Sequence, residues 1–328
     1  MSKYFVLILA ALFVLSCGPS EDIVYKQGVQ KQAKGMFQVI PAKMPGSEND
    51  TAELVELGKK LYFDGILSKN KEMSCNTCHR IDENKGGVDN LPTSPGVTGE
   101  PGTRNSPTVL NAGFQFAQFW DGRAKDLKEQ AKGPVLNPAE MNMPDSMTVV
   151  TRIQDSPEYV AMFEKAFGSS EVTYDNVAGA IAAFERTLVT HDRFDDFLNG
   201  NVDAMSRGEV EGLDLFIKKA CTTCHNGPLL GGNMFQKMGL VKPYTLSNDQ
   251  GRYEVTKNES DRMMFKVPTL RNVAITGPYF HDGKVADLKE ATKMMAEMQL
   301  AQTLTDEEAA KIVKFFGAMT DKEREPKM

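Results

Sequence analysis

The sequence is poor in the residues that carry special chemistry: its 328 residues hold five Cys, four His and one Trp. With so few, each position can be weighed singly. A basic excess is also missing, since 38 Lys and Arg stand against 44 Asp and Glu, a formal net charge of -6. Nucleic-acid binding, which needs cations to neutralise phosphates, is therefore not expected. Long alternating apolar and polar runs are absent, which argues against an all-β fold. Beyond residue 15 no stretch is apolar enough to cross a bilayer. What remains is 41% apolar and 25% charged, the composition of a globular chain with material for two ordinary domains.

The N-terminus reads as an export signal. Lys3 precedes the apolar run Tyr4 to Leu15, which is too short to span a membrane and has the shape of a secretory leader. Val14-Leu15-Ser16-Cys17-Gly18 resembles a lipoprotein cleavage site in which the Cys becomes lipidated. The expectation is a leader over 1–16, a lipid on Cys17 and a polar tether over 17–45. The protein would be periplasmic, attached to a membrane through the lipid alone.

The other four Cys form two copies of one pattern, Cys75-Asn76-Thr77-Cys78-His79 and Cys221-Thr222-Thr223-Cys224-His225. C-x-x-C-H is the attachment signature of a c-type haem: two thiols bond the vinyl groups and the adjacent His faces the iron. Structural disulfides, a redox pair or a zinc site are the alternatives. Zinc takes Cys and His ligands, but it explains neither the leader nor the duplicated pentapeptide. Two covalent haems are expected.

A longer duplication surrounds these motifs. Phe119 to Glu129 and Phe280 to Glu290 agree at seven of eleven positions, at an offset of 161 residues. Pro107-Thr108 and Asn111 repeat at the same offset as Pro268-Thr269 and Asn272. Leu54, Leu57 and Leu61 before the first haem motif, and Val210, Leu213 and Ile217 before the second, recur at helical spacing. Ser206 with Glu209, and Thr305 with Glu308, read as capping boxes, and Tyr174 to Leu188 reads as a helix. The fold class is mostly α, with two tandem cytochrome c-like domains, each with one covalent haem, over 46–195 and 196–328.

The halves differ where chemistry would differ. At the shared offset Trp120 faces His281, Gln130 faces Ala291 and Pro134 faces Met295. A thioether is a soft sixth ligand that raises a haem's potential, so Met295 is a candidate partner of His225. Core filling is the other reading, because the chain has 18 Met and two of them flank Met295 closely. The first half offers Gln130 and Glu140 instead. A carboxyl group beside an open iron could move a proton between the oxygens of a bound peroxide.

Together these motifs resemble the bacterial di-haem cytochrome c peroxidase family, which includes the MauG-like enzymes. Gly86-Gly87-Val88-Asp89, Arg104-Asn105-Ser106-Pro107-Thr108, Gln118 to Arg123, Glu129 to Pro134 and Pro278 to Gly283 carry the resemblance with the haem motifs. It implies reduction of hydrogen peroxide by electrons from a small cytochrome c or cupredoxin. His79 would hold the peroxidatic haem, and His225 with Met295 the electron-accepting one. Glu140 would be the acid–base residue with Gln130 beside it, and Trp120 the relay between haems. Asn105, Thr276 and Pro278 match the family's calcium site, a set of oxygen donors that suits this hard cation. Family members are often calcium-linked dimers, so a homodimer is among the implied assemblies. The acidic balance suits a basic donor.

One departure concerns activation. Many members hold a distal His on the loop before Arg104, where it blocks the peroxidatic haem until the other haem is reduced. Here the matching residue is Val97 and the loop has no His. The expectation is an open first haem in the oxidised protein, provided that neither Met141 nor Met143 replaces the imidazole. His191 reads as a surface residue at the junction, and His281 as a residue near the second haem. A MauG-like oxidase, which has Tyr in place of Met295, and a non-catalytic di-haem electron carrier are the rival readings.

Overall fold

The computed structural model describes residues 19–82 and 85–325, and it is mostly helical. The expected leader and the lipidated Cys17 lie outside the described residues.

Helix α1 (Glu21–Ala33) opens the fold, with the Ser20 hydroxyl accepting from the Ile23 amide. This corrects the tether expected over 17–45. Val29, Ala33, Phe37, Ile40 and Met44 form a buried stripe at four- and three-residue steps. Three of them enter a core with Phe194, Phe197, Ile312 and Phe315. The Gln30 amide donates to Phe197 O at 2.6 Å, and Asp195 accepts from the Ile40 amide. The segment is a strap on the second half of the chain, because its apolar stripe has a surface to cover.

The first half contains α2 (Ala52–Phe63), α3 (Cys75–Cys78), α4 (Leu127–Leu136), α5 (Ser146–Gln154), α6 (Pro157–Phe167) and α7 (Tyr174–Glu185). The helix expected over Tyr174 to Leu188 thus ends one turn early, at a cap on Arg186. Its core is built on Leu57, Leu61, Tyr62, Phe163 and Ile181. The second half contains α8 (Arg193–Leu198), α9 (Arg207–Lys218), α10 (Tyr253–Thr256), α11 (Leu288–Leu300) and α12 (Asp306–Gly317). Both expected capping boxes are present, at Ser206 and Thr305. Phe194 belongs to the second core, so the junction falls a few residues before the expected break at 195. Two three-residue strands, β1 (Phe235–Lys237) and β2 (Met264–Lys266), pair antiparallel with Phe235 opposite Lys266.

The duplication is structural as well. Phe119 and Phe280 have φ of 67° and 68°, Asn111 and Asn272 have 60° and 63°. Isolated bridges join Gln118 to Ala124 and Tyr279 to Val285, and α4 and α11 begin on Asp126 and Asp287 caps. In each half the first long helix crosses the last through a glycine. A Cβ on Gly58 would lie 1.8 Å from Ala180 O, and one on Gly212 would lie 1.9 Å from Lys311 O.

Overpacking of a close crossing costs about 1–3 kcal/mol or more. Gly212→Ala should therefore lower the unfolding midpoint of the holoprotein. Gly28→Ala, in the middle of α1 with nothing within 4 Å of the new methyl, should raise it, since alanine is the better helix residue by roughly 0.5–1 kcal/mol. Thermal melts of the two variants check both signs.

Candidate active site

Two cavities open beside the two Cys–His turns. The first encloses about 1550 Å³, counted out to its mouth, and is lined by Cys78, His79, Gln130, Glu140, Trp120 and residues between Ser94 and Thr108. The second encloses about 1210 Å³ on the same measure and is lined by Cys221, Cys224, His225, Met238, Met295 and a largely apolar wall.

Each histidine is prepared in the same way. His79 Nδ1 lies 3.0 Å from Pro107 O, and His225 Nδ1 lies 2.9 Å from Leu230 O. A carbonyl only accepts, so Nδ1 carries the proton and Nε2 is left bare, the tautomer that ligates a metal. Burial pushes both imidazoles toward the neutral form. The Tyr62 hydroxyl donates to His79 O at 2.5 Å, anchoring the turn to α2. All four described cysteines stand as free thiols, as haem attachment requires. No cluster of three or more His, Cys, Asp or Glu able to hold a metal forms among the described residues, so the zinc alternative finds no ligand set. Two thiols, a bare ring nitrogen and a cavity at each turn fit a covalent haem in each half.

On the far wall of the first cavity, α4 presents Gln130 and Pro134, and the turn after it presents Glu140. Glu140 is half-buried and its Oε1 accepts from Asn137 Nδ2 at 2.8 Å. Burial raises its carboxyl above the usual range, opposed by the Asn137 hydrogen bond and the charge of Arg123. The loop before Arg104 clamps this turn. Val97 N donates to Glu140 O at 2.8 Å, and Gly96 approaches so closely that a Cβ would lie 2.2 Å from Ala139 O. Val97 packs against the first core and is not part of the cavity wall. Met141 and Met143 are buried in that core too, turned away from the cavity.

Trp120 is the wall common to both cavities. Its Nε1 donates to Asn105 O at 2.9 Å, and its ring meets His281 edge-on at 6.4 Å. Met295, on α11, lines the second cavity together with His225. Asn105, Thr276 and Pro278 come together around a third cavity of about 660 Å³ between the other two. Asn105 Nδ2 donates to Leu91 O and Pro92 O, which leaves its side-chain oxygen for another partner. His191 is exposed, as expected, and His281 is buried on the second cavity.

Other charged residues also face the first cavity. Arg104 spans the two halves, holding Asp121 at 2.5 Å and Asp249 at 2.6 and 2.8 Å. Glu254 and Val255 of α10 reach over the mouth. Glu185 is buried with one carboxylate oxygen lacking a partner, and burial pushes it up to about 8. Its only signal was a carboxylate at the end of an otherwise apolar helix.

The family model of the di-haem cytochrome c peroxidases matches residues 52–203. Cytochrome c551 peroxidase of Nitrosomonas europaea is 48% identical over 282 residues, 85% of this chain and 83% of that protein. Cytochrome c551 peroxidase of Pseudomonas aeruginosa is 45% identical over 305 residues, 89% of this chain and 86% of that one. A solved MauG-like protein associated with microbial copper homeostasis has a TM-score of 0.76 at 25% identity, covering 88% of this chain and 95% of its own. At this identity and coverage the chain belongs to the di-haem cytochrome c peroxidase family and is an oxidoreductase acting on peroxide.

Proposed function

We propose that this chain is an exported, lipid-anchored peroxidase that reduces hydrogen peroxide to water with electrons from a small periplasmic cytochrome c or cupredoxin. The observation that carries the reading is the first cavity, where a carboxyl and an amide face the same space as His79. When bound, the two haems supply the iron that takes peroxide and the electrons that reduce it. His79 would hold the first through Nε2, and His225 with Met295 would hold the second. Glu140 would take the proton from one peroxide oxygen and return it to the other as the O–O bond breaks; two electrons and two further protons then take both oxygens to water. The Asn137 hydrogen bond fixes where its carboxyl sits, and Gln130 positions the same substrate. Trp120, shared by both cavities, couples them electronically. Asn105, Thr276 and Pro278 offer oxygen donors for one calcium ion at the seam between the halves.

Met295 supports a peroxidase over a MauG-like oxidase, and Glu140 with Gln130 supports catalysis over simple electron carriage. Met141 and Met143 are buried in the core and Val97 packs against it, which supports an open first haem before any reduction.

Glu140→Gln should lower peroxide turnover by about 10²–10⁴-fold, the usual worth of an acid–base group. Haem loading, read from the spectrum, should stay intact; unchanged turnover would remove Glu140 from the mechanism. Glu140 must be ionised to accept the first proton, and burial raises its pKa. Activity should therefore fall with decreasing pH from above the ordinary Glu value of about 4.3, and the pH profile of Glu140→Gln should lack this limb.

Stopped-flow mixing of the fully oxidised protein with peroxide should change the haem spectrum before any donor is added. A resting spectrum with two low-spin haems and no such reaction would mean that the first site is blocked.

A further inference from the structure

A buried lysine that the mechanism does not use faces the second cavity. Lys266 ends β2, is 5% exposed, and lines both the second cavity and the smaller one between the halves. Its amide donates to Trp120 O at 2.8 Å. Its ammonium donates to the side-chain oxygen of Gln115, a neutral group that is itself buried.

The charge of this ammonium is not matched nearby. Asp121, whose field reaches it, is committed to Arg104 at 2.5 Å and Arg123 at 2.9 Å. Asp249 is bound to Arg104, and Asp282 accepts from the Tyr244 hydroxyl. Burial without a counter-ion pushes Lys266 down to about 7. Proteins avoid leaving such a charge unpaired, because desolvation is recovered only through a close partner of opposite sign.

A second buried polar group lines the same cavity. His281 is 2% exposed and lines the second cavity, and its Nε2 has no hydrogen-bond partner. Its ring stacks on Phe265 with centroids 4.2 Å apart, on the face of β2 opposite to the Lys266 side chain. An ammonium with a neutral partner but no counter-ion, and a ring nitrogen with no partner, thus line one cavity. An anion belonging to whatever fills that cavity would supply the missing charge to Lys266, and the carboxylates of a c-type haem are such anions.

We infer that Lys266 is the carboxylate-binding corner of the second cavity. There it pairs with a propionate of the haem attached through Cys221 and Cys224 and raises that haem's potential. The inference rests on the second haem occupying this cavity. A positive charge close to the iron favours the reduced form, which suits the haem that accepts electrons from the donor. Lys266 is thus a positioning and tuning residue rather than a catalytic one.

The test uses Lys266→Met, Lys266→Gln and Lys266→Arg as holoproteins. Haem content by pyridine haemochrome and intact mass comes first. Wild type with one haem rather than two would overturn the cavity assignment, separately from the role of Lys266. Spectroelectrochemical titration then follows each haem. Lys266→Met should lower the reduced-to-oxidised ratio of the high-potential haem about tenfold at a fixed potential, about 59 mV for one electron. The other haem should move less, and Lys266→Arg should restore most of the loss. The propionate bending band in resonance Raman should shift in Lys266→Met and not in Lys266→Arg. If the Met variant does not accumulate, Lys266→Gln, which keeps an N–H donor without the charge, should give the same lowering. An unchanged potential and propionate band in the neutral variants would overturn the inference. Equal shifts at both haems, unrescued by Arg, would also overturn it, since these mark a structural role.

Discussion

Arg271 is almost wholly buried, and its guanidinium gathers the parts of the molecule that sequence distance keeps apart. It holds Asp192 at 2.6 and 2.7 Å and Asp195 at 2.8 Å, both at the junction between the halves. It also donates to Pro228 O and to Gln38 O. Pro228 lies in the loop whose Leu230 carbonyl orients His225, and Gln38 lies in the N-terminal strap. Removing one partner of such a buried pair typically costs about 3–5 kcal/mol, because the remaining charge stays uncompensated. The orientation of the second proximal histidine, the seating of the strap and the placement of α8 therefore share one set of contacts. Arginine suits this position, since its fork reaches two carboxylates and two carbonyls at once.

Around that hub the duplicated halves have kept their scaffold and changed their chemistry. Asn111 and its counterpart Asn272 both reach the Thr190 hydroxyl, at 2.7 and 3.5 Å, so the repeat meets itself at the junction. Trp120 and its counterpart His281 meet as well, and the Asn105 peptide lies between them. It accepts from Trp120 Nε1 and donates to His281 O. The same backbone position thus supplies an indole facing both cavities in one half and an imidazole lining the second cavity in the other. The positive φ values at Phe119 and Phe280 show that the turn carrying each of them was inherited intact.

What could be read from the sequence was local. The Cys–His turns, the capping boxes and the offset of 161 residues are encoded in contiguous residues, and they survive in the coordinates. Glu140 and Gln130 stand out where the halves differ, the resemblance adds the relay role of Trp120, and the fold brings all three to the cavity of His79. The strap was misread because the leader and lipidation motif suggested a tether, although the stripe from Val29 to Met44 was visible. Lys266 and Glu185 were missed for another reason. Their meaning lies in burial, and burial comes from Gln115, Trp120 and α2, which are remote in sequence. The direction of Val97 was equally hidden, since only the clamp on Glu140 turns it into the core.

The strap also sets an order of assembly. Its partners include Phe315 and Phe316 of α12, among the last residues of the chain, as well as Phe194 and Phe197 from the middle. A chain delivered from its N-terminus offers the strap before any surface exists to receive it. Contacts so far apart in sequence form late, because the loop they close must be ordered first. The second core is therefore sealed only when both the strap and α12 are present, and a truncation that removes either opens the same core.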